Sequence, residues 1–249
     1  MIIEVPSNGW AASGTAAGVG VWFFFVWCWL AKGNQRFGEV AASFGLVVCA
    51  GFGGAWLGSA SVGEAGLSSL GGVVASGVAI GLLVKPWRAT GRWLMDVLVP
   101  GGIAGLSVAR LGCLWEGCDF GRPTQRGLAV IHEAGSRAWD VHVTHYGLAP
   151  GSLGSDPVHP FAAYLAGWGL VAAGLGEWRR RRGDAPGQAA MVSALVFLAG
   201  GGAIEWLREP ETVIQIVDGV SVYPFIYWIG AVGAGWLWWY FGQGTQLKE

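Results

Sequence analysis

Residues 94–124 read LMDVLVPGGIAGLSVARLGCLWEGCDFGRPT. The part from 94 to 113 is apolar and long enough to cross a bilayer, which takes about 20 residues in a helix. Its far end breaks the pattern, because Arg110, Glu116, Asp119 and Arg122 crowd into one short run. A charge at the edge of a hydrocarbon layer is costly, so such groups face a protein interior or a polar cavity and point to function. The stretch therefore predicts a membrane helix with a polar site at one end.

The rest of the chain agrees with that setting. Hydrophobic residues make up 53% of it and charged residues only 12%, with 44 glycines and 16 tryptophans. Glycine lets membrane helices approach closely, and tryptophan collects at the headgroup level. Seven stretches approach spanning length, roughly 10–31, 38–58, 66–84, 94–113, 159–176, 188–207 and 224–242. The N-terminal one reads as a span and not as a cleaved leader, since Glu4 replaces the basic start and the apolar run exceeds a leader's core. Lys32, Arg36, Lys85, Arg88, Arg92, Arg179 to Arg182 and Lys248 fall on one side; Arg110, Arg122, Arg126, Arg137 and Arg208 fall on the other. By the positive-inside rule the first side is cytoplasmic, so the N-terminus is outside and the C-terminus inside. The Arg179–Arg182 block reads as an anchor at anionic headgroups. The chain is expected to form one all-α, multi-pass integral membrane domain over 1–249. An outer loop of about residues 114–158 would precede the fifth helix and cover the site. A formal net charge of −1 gives no reason to expect a nucleic-acid partner.

Individual residues sharpen the site. Arg110 is either a snorkelling helix-end arginine or a planar fork for a lipid phosphate. GRPT at 121–124 is a turn signal. Cys113 and Cys118 lack the further soft ligands a metal would need, and either buried thiols or a disulfide fits them. His132, His142 and His145 are read as solvated loop residues. His159, before Pro160 at a span boundary, is the better candidate for proton transfer. Glu205 and Arg208 share a helix face and are placed to pair, at an interface or beside Arg110.

Taken in order, these residues resemble the prolipoprotein diacylglyceryl transferase family. Its signature is approximately G-R-x-G-N-F-x-N-G-E-x-x-G-R-P-T; here the stretch is A-R-L-G-C-L-W-E-G-C-D-F-G-R-P-T. Arg110, Gly112, Gly117, Gly121, Arg122, Pro123 and Thr124 match. Asp96 and Pro100 match a family D-x-x-x-P, His159, Pro160 and Tyr164 an H-P-x-x-x-Y, and Glu205, Arg208 and Pro210 a late E-x-x-R-x-P, while Gly71 and Gly72 fit a Gly-Gly pair in the third span. The resemblance implies a seven-span inner-membrane enzyme that moves a diacylglyceryl group from phosphatidylglycerol to a lipobox cysteine, with no metal or cofactor. Arg110, Glu116 and His159 are then the candidate catalytic residues. Gly112, Asp119, Gly121, Arg122, Tyr164, Glu205 and Arg208 are candidates for binding substrate.

The chain also departs from the pattern. Cys113 replaces the signature Asn and Cys118 the signature Glu, with Glu116 and Asp119 close by as stand-ins. Leu70 stands for a third-span histidine or tyrosine, and Gly201 for an arginine four residues before Glu205. In the HP motif, Ala162 and Leu165 replace a Gln and a Glu. Two other readings therefore remain beside lipoprotein transfer: phospholipid binding without transfer, and transfer to a different acceptor.

Overall fold

The computed structural model describes residues 2–5, 15–23, 26, 37–61, 72, 75–79, 82, 89–210, 215–217 and 220–243. Helices dominate: α1 (Phe37–Ser61), α2 (Ala89–Glu116), α3 (Arg137–His145), α4 (Phe161–Arg181), α5 (Gln188–Ile204) and α6 (Tyr223–Gln243). Residues 15–23 are also helical. Short strands complete the set: β1 (Ile2–Val5), β2 (Ala129–His132), β3 (Gln215–Val217) and β4 (Val220–Ser221). Five of the expected apolar stretches coincide with α1, α2, α4, α5 and α6. Parts of the 10–31 and 66–84 stretches, together with Leu70, Gly71, Cys28, Lys32, Arg36, Lys85, Arg88 and Lys248, lie outside the described residues.

Helices α2, α4, α5 and α6 pack into one bundle. Two apolar segments, Arg92–Glu116 and Gln188–Leu207, are 25 and 20 residues long, enough to cross a membrane. The packing is inverted relative to a water-soluble core. On α6, Ala231 and Ala234 are each 7% exposed, whereas Ile229 and Val232 are each 74% exposed. Ala172 and Ala173 of α4 are buried beside exposed Leu170 and Val171. Small residues at helix contacts and large apolar ones facing outward are what lipid as a solvent selects, since burying leucine against leucine gains nothing over leucine against acyl chains. Gly176 shows the tightness of a crossing. A Cβ there would lie 2.7 Å from Cβ of Ser193 on α5 and 3.0 Å from Cγ of Pro100 on α2. The Ser193 hydroxyl donates across the same contact to the Ala172 carbonyl at 3.0 Å.

Asp96 gives the D-x-x-x-P pattern a structural meaning. Its carboxylate accepts from the backbone N–H groups of Gly187 (2.7 Å) and Ala190 (2.8 Å). It thus fastens α2 to the N-terminus of α5, where unpaired N–H groups and the helix dipole favour an anion. Gly187 holds a φ of +94° there, a conformation glycine adopts without strain. Asp96 lies fourteen residues before Arg110 on the same helix, about 21 Å at 1.5 Å per residue. It therefore sits toward the opposite end from the charged run.

The connection between α2 and α4 is an ordered layer with its own core of Phe120, Val130, Ala138, Val141 and Val158. Within it β2 pairs in parallel with β1, from Ile2↔Ala129 to Val5↔His132, so the N-terminal strand and the long connection share one end of the bundle. Helix α3 starts at Ser136, whose hydroxyl accepts from the Trp139 N–H at 3.2 Å. The layer corrects one expectation. His132 is 2% exposed and His142 is fully buried, so neither is a solvated loop histidine. The layer's apolar core closes over them. His145 does face solvent.

Candidate functional site

Arg110 lies on the penultimate turn of α2, and the chain returns to it at once. Gly117 follows the last helical residue with φ +64°, and a Cβ there would lie 2.9 Å from Cγ of His132. A left-handed glycine just past a helix end is a common terminator. The reversal brings Asp119 onto the Arg110 guanidinium as an ion pair. The other oxygen of Asp119 meets Arg208 at 3.0 Å, and Arg208 holds Glu205 through two contacts of 2.8 and 2.9 Å. All four groups are buried. Two cations and two anions cancel, which is what a low-dielectric setting demands, since an unpaired charge there costs several kcal/mol, on the order of 3–5. The Arg208 guanidinium also lies 4.4 Å from the Phe161 ring centre and 5.2 Å from that of Tyr223. The expected Glu205–Arg208 pairing is present, and Asp119 joins it to Arg110. Arg110 is not a snorkelling residue.

The GRPT segment is extended, which corrects its reading as a turn. It runs between two other chain segments. Gly121 N–H donates to the His159 carbonyl (3.1 Å), Arg122 N–H to that of Leu207 (2.8 Å), and His159 N–H back to that of Arg122 (3.1 Å). Gly121 is there because the backbones touch: a Cβ would lie 2.7 Å from Cβ of His159 and 2.7 Å from the Leu207 carbonyl oxygen. The turn itself falls earlier, at residues 117–119. The Arg122 side chain is exposed at the rim, with its Nε donating to the Arg208 carbonyl at 3.4 Å.

The remaining candidates divide. Gly112 is buried in α2. His159 is half-buried beside Tyr164, their ring centres 6.1 Å apart, and its Nδ1 has no hydrogen-bond partner among the described residues. The Tyr164 hydroxyl reaches the Leu128 carbonyl at 3.4 Å. Glu116 is half-buried at the end of α2 and takes no part in the ion pairs of the network. Asp119, and not Glu116, is therefore the acid in contact with the arginines. Cys113 and Cys118 are free thiols.

Sequence reasoning missed the aromatic lining and a second polar cluster. Tyr227 on α6 lies close enough to Arg110 to interact electrostatically, and its ring covers Gly201, where a Cβ would meet it at 2.5 Å. Tyr223 and Tyr227 are four apart at the start of α6 in an aromatic-rich run, where they look like interfacial anchors. Next to Arg208, Glu209 is fully buried and accepts from the Tyr146 hydroxyl at 2.8 Å. His142 accepts from the Asp156 N–H at 2.9 Å, and its ring meets those of Tyr146 and Phe120. Burial pushes His132 down to about 4, with the neighbouring His142 adding to the shift. Burial also lowers His142, against an opposing pull from Asp156. Both imidazoles are thus neutral near pH 7.

The sequence model of the prolipoprotein diacylglyceryl transferase family matches residues 55–240, a stretch that holds all four members of the ion-pair network. The chain belongs to this family. It is a family of membrane-embedded transferases, which accords with the inverted packing of α4 and α6. A relative from Gloeobacter violaceus, a phosphatidylglycerol–prolipoprotein diacylglyceryl transferase, is 27% identical over 178 residues. The aligned part is 67% of this chain and 61% of the relative, so the chain spans less than two thirds of that relative's length. Within the family match, Arg110, Gly117, Gly121, Glu205 and Arg208 each have a structural partner described above, while Cys113, Cys118 and Gly201 stand where the prolipoprotein diacylglyceryl transferase pattern has polar or charged residues.

Proposed function

We propose that the chain is a single seven-span domain of a bacterial inner membrane, N-terminus outside and C-terminus in the cytoplasm, that transfers a diacylglyceryl group from phosphatidylglycerol to a cysteine thiol of a prolipoprotein. The layer between α2 and α4 is the outer cover of its site. The observation that carries this reading is the buried Arg110–Asp119–Arg208–Glu205 network at one end of an apolar helix. Paired charges inside a membrane protein are costly to keep and mark a place where charge is handled. In the transfer, the thiol gives up its proton and the thiolate attacks the glyceryl carbon. A carbon–sulfur bond forms, the carbon–oxygen bond to phosphate breaks, and glycerol phosphate leaves. Charge builds on that phosphate, and Arg110, aided by Arg122 and Arg208, holds it. Only one nitrogen of Arg110 is engaged by Asp119, so a planar fork has donors left for phosphate oxygens. His159 is the preferred base, because its free Nδ1 lies beside a backbone fastened to Gly121 and Arg122; Glu116 is the alternative. Gly112, Asp119, Gly121, Tyr164 and Glu205 shape the lipid subsite around them.

Gly201 favours a second reading. The family pattern has an arginine there, and here the Tyr227 ring fills the space above a bare backbone. One cation fewer suits a protein that binds phospholipid without transfer, or that serves another acceptor. Purified protein with phosphatidylglycerol and a lipobox peptide separates these. A diacylglyceryl mass gain on the peptide that vanishes with Arg110→Ala supports lipoprotein transfer. No gain, with lipid still retained by the wild type and lost by Arg110→Ala, supports the binding reading and sinks the first.

A further inference from the structure

Arg110 and Arg208 share Asp119, yet they are held differently. Arg110 commits one nitrogen, Nη1, to that carboxylate. Arg208 commits all three: Nη1 to Asp119 at 3.0 Å, and Nε and Nη2 to the two oxygens of Glu205 at 2.8 and 2.9 Å. The N–H groups of a guanidinium lie in its plane, so these contacts occupy its edges. Two rings lie over it, with the guanidinium carbon 4.4 Å from the Phe161 ring centre and 5.2 Å from that of Tyr223. Both fall inside the range of about 6 Å in which a ring face attracts a cation, and a planar, weakly hydrated guanidinium suits that contact. The rings are themselves fixed. Each belongs to the first residue of a helix, Phe161 of α4 and Tyr223 of α6. Phe161 is fully buried and its N–H donates to the His159 carbonyl at 2.7 Å, while the Tyr223 N–H donates to the Ser221 hydroxyl at 3.1 Å. The Arg208 backbone is bridged to Gly121, two residues beyond Asp119.

We infer that Phe161 and Tyr223 are positioning residues that brace Arg208 and, through it, hold Asp119 against Arg110. Arg208 is then a fixed post between two carboxylates, and its help to a bound phosphate is the placing of Asp119. Arg110 remains the fork with donors to spare. Position 208 needs the shape of arginine as well as its charge. A lysine there keeps the charge, but it is a point donor with no plane to lay under a ring and no second edge for the Glu205 pair. The brace and the hold on Asp119 stand on these contacts alone; only the benefit to phosphate rests on the function proposed above.

Full-length protein carrying isotope-labelled arginine, held in lipid nanodiscs, reports on both residues through their side-chain Nε–H resonances, assigned with Arg110→Lys and Arg208→Lys. The wild-type Arg208 signal should lie upfield under the rings and exchange slowly with water. Tyr223→Leu keeps apolar bulk and removes one ring. It should move that signal downfield, speed its exchange and shift the Arg110 signal as well, while Tyr223→Phe should leave both in place. Phe161→Leu repeats the test at the other ring; if that buried variant does not fold, Tyr223→Leu decides alone. Phosphatidylglycerol is then titrated onto each folded variant below its unfolding temperature. Its affinity should fall several-fold in Tyr223→Leu and in Arg208→Lys, and Tyr223→Phe should match the wild type. An Arg208 signal indifferent to Tyr223→Leu would overturn the brace. A response at Arg208 with none at Arg110 would overturn the hold on Asp119. A lowered melting temperature with unchanged lipid affinity would reduce the rings to packing, and full affinity in Arg208→Lys would remove the need for a planar cation. Wild-type protein that binds no phosphatidylglycerol, with both signals responding, would support the brace and sink the phosphate reading instead.

Discussion

Asp119 is the acid that pairs with both Arg110 and Arg208, so its loss leaves Arg208 with Glu205 and Arg110 with no ion-pair partner among the described residues. Asp119→Ala should lower stability by about 3–5 kcal/mol, the usual cost of orphaning a buried charge. The measurement is thermal unfolding in detergent. A loss under about 1 kcal/mol would mean that water or lipid phosphate already serves these arginines. Gly121→Ala tests a different force. The new methyl meets the His159 Cβ and a backbone oxygen at 2.7 Å, neither of which is a flexible tip, so about 1–3 kcal/mol should be lost. Gly167→Ala on α4 is the control: nothing lies within 4 Å of its Cβ, and the change should stabilise the helix by up to about 1 kcal/mol. Equal effects at the two positions would refute the crowding argument. Arg110, Glu205 and Arg208 were legible in the sequence because charge beside an apolar run is conspicuous. The Asp119–Arg208 contact was not, since it joins segments far apart in the chain. Gly201 read as a missing cation, and only the packed helices reveal that Tyr227 fills its place.

The helices were the most legible elements, because a solvent of acyl chains removes the need for a polar face and leaves long apolar runs as the signal. The layer over the site was legible only as a connection too long to be a turn. Its strand β2 and the paired β1 span four residues each, and its histidines stand among polar neighbours that read as solvated. That layer has its own pH response. His132 is depressed to about 4 in the fold against about 6.5 unfolded, and His142 is depressed as well. Between those limits the unfolded chain binds more protons than the folded one, so stability falls as pH falls. The loss begins below about pH 6.5 and levels off below about pH 4, and His132 alone accounts for about 3 kcal/mol. Burial sets the sign at both histidines; His142 adds to the fall at His132, and Asp156 opposes the fall at His142. Proteolysis of the layer, followed from pH 7.5 to 4.5, should accelerate in the wild type and accelerate distinctly less in His132→Gln, where the share of His142 remains. A variant that keeps the full wild-type pH dependence would remove His132 from the account.

At the scale of the molecule, the two ends of the bundle differ in charge and in architecture. Strand β1, the layer after α2 and the ion-pair network share one end. The other end holds Asp96 on the α5 N-terminus, Arg92 over the Phe241 ring and the Arg179–Arg182 block. Helix α4 connects the two with 21 residues, about 30 Å, which matches the hydrocarbon thickness of a bilayer. Its basic end is partly neutralised, since Glu177 pairs with Arg180 and Arg181, and Asp184 with Arg179, yet two positive charges remain in excess. By the positive-inside rule an excess of that sign is expected on the cytoplasmic side, which predicts that the long layer lies outside. Single cysteines test this directly in a background where Cys28, Cys49, Cys113 and Cys118 are serine. Leu153 is 93% exposed on the layer, and Pro186 is exposed beyond the basic end of α4. A membrane-impermeant maleimide added to whole cells should label Leu153→Cys and should reach Pro186→Cys only after lysis. The opposite pattern would invert the orientation while preserving the crossing, and labelling of both from outside would deny that α4 spans the membrane at all. Because only α4 and its flanking residues separate the two positions, the result is independent of the other spans. It also decides which side of the membrane Arg110 and its partners face.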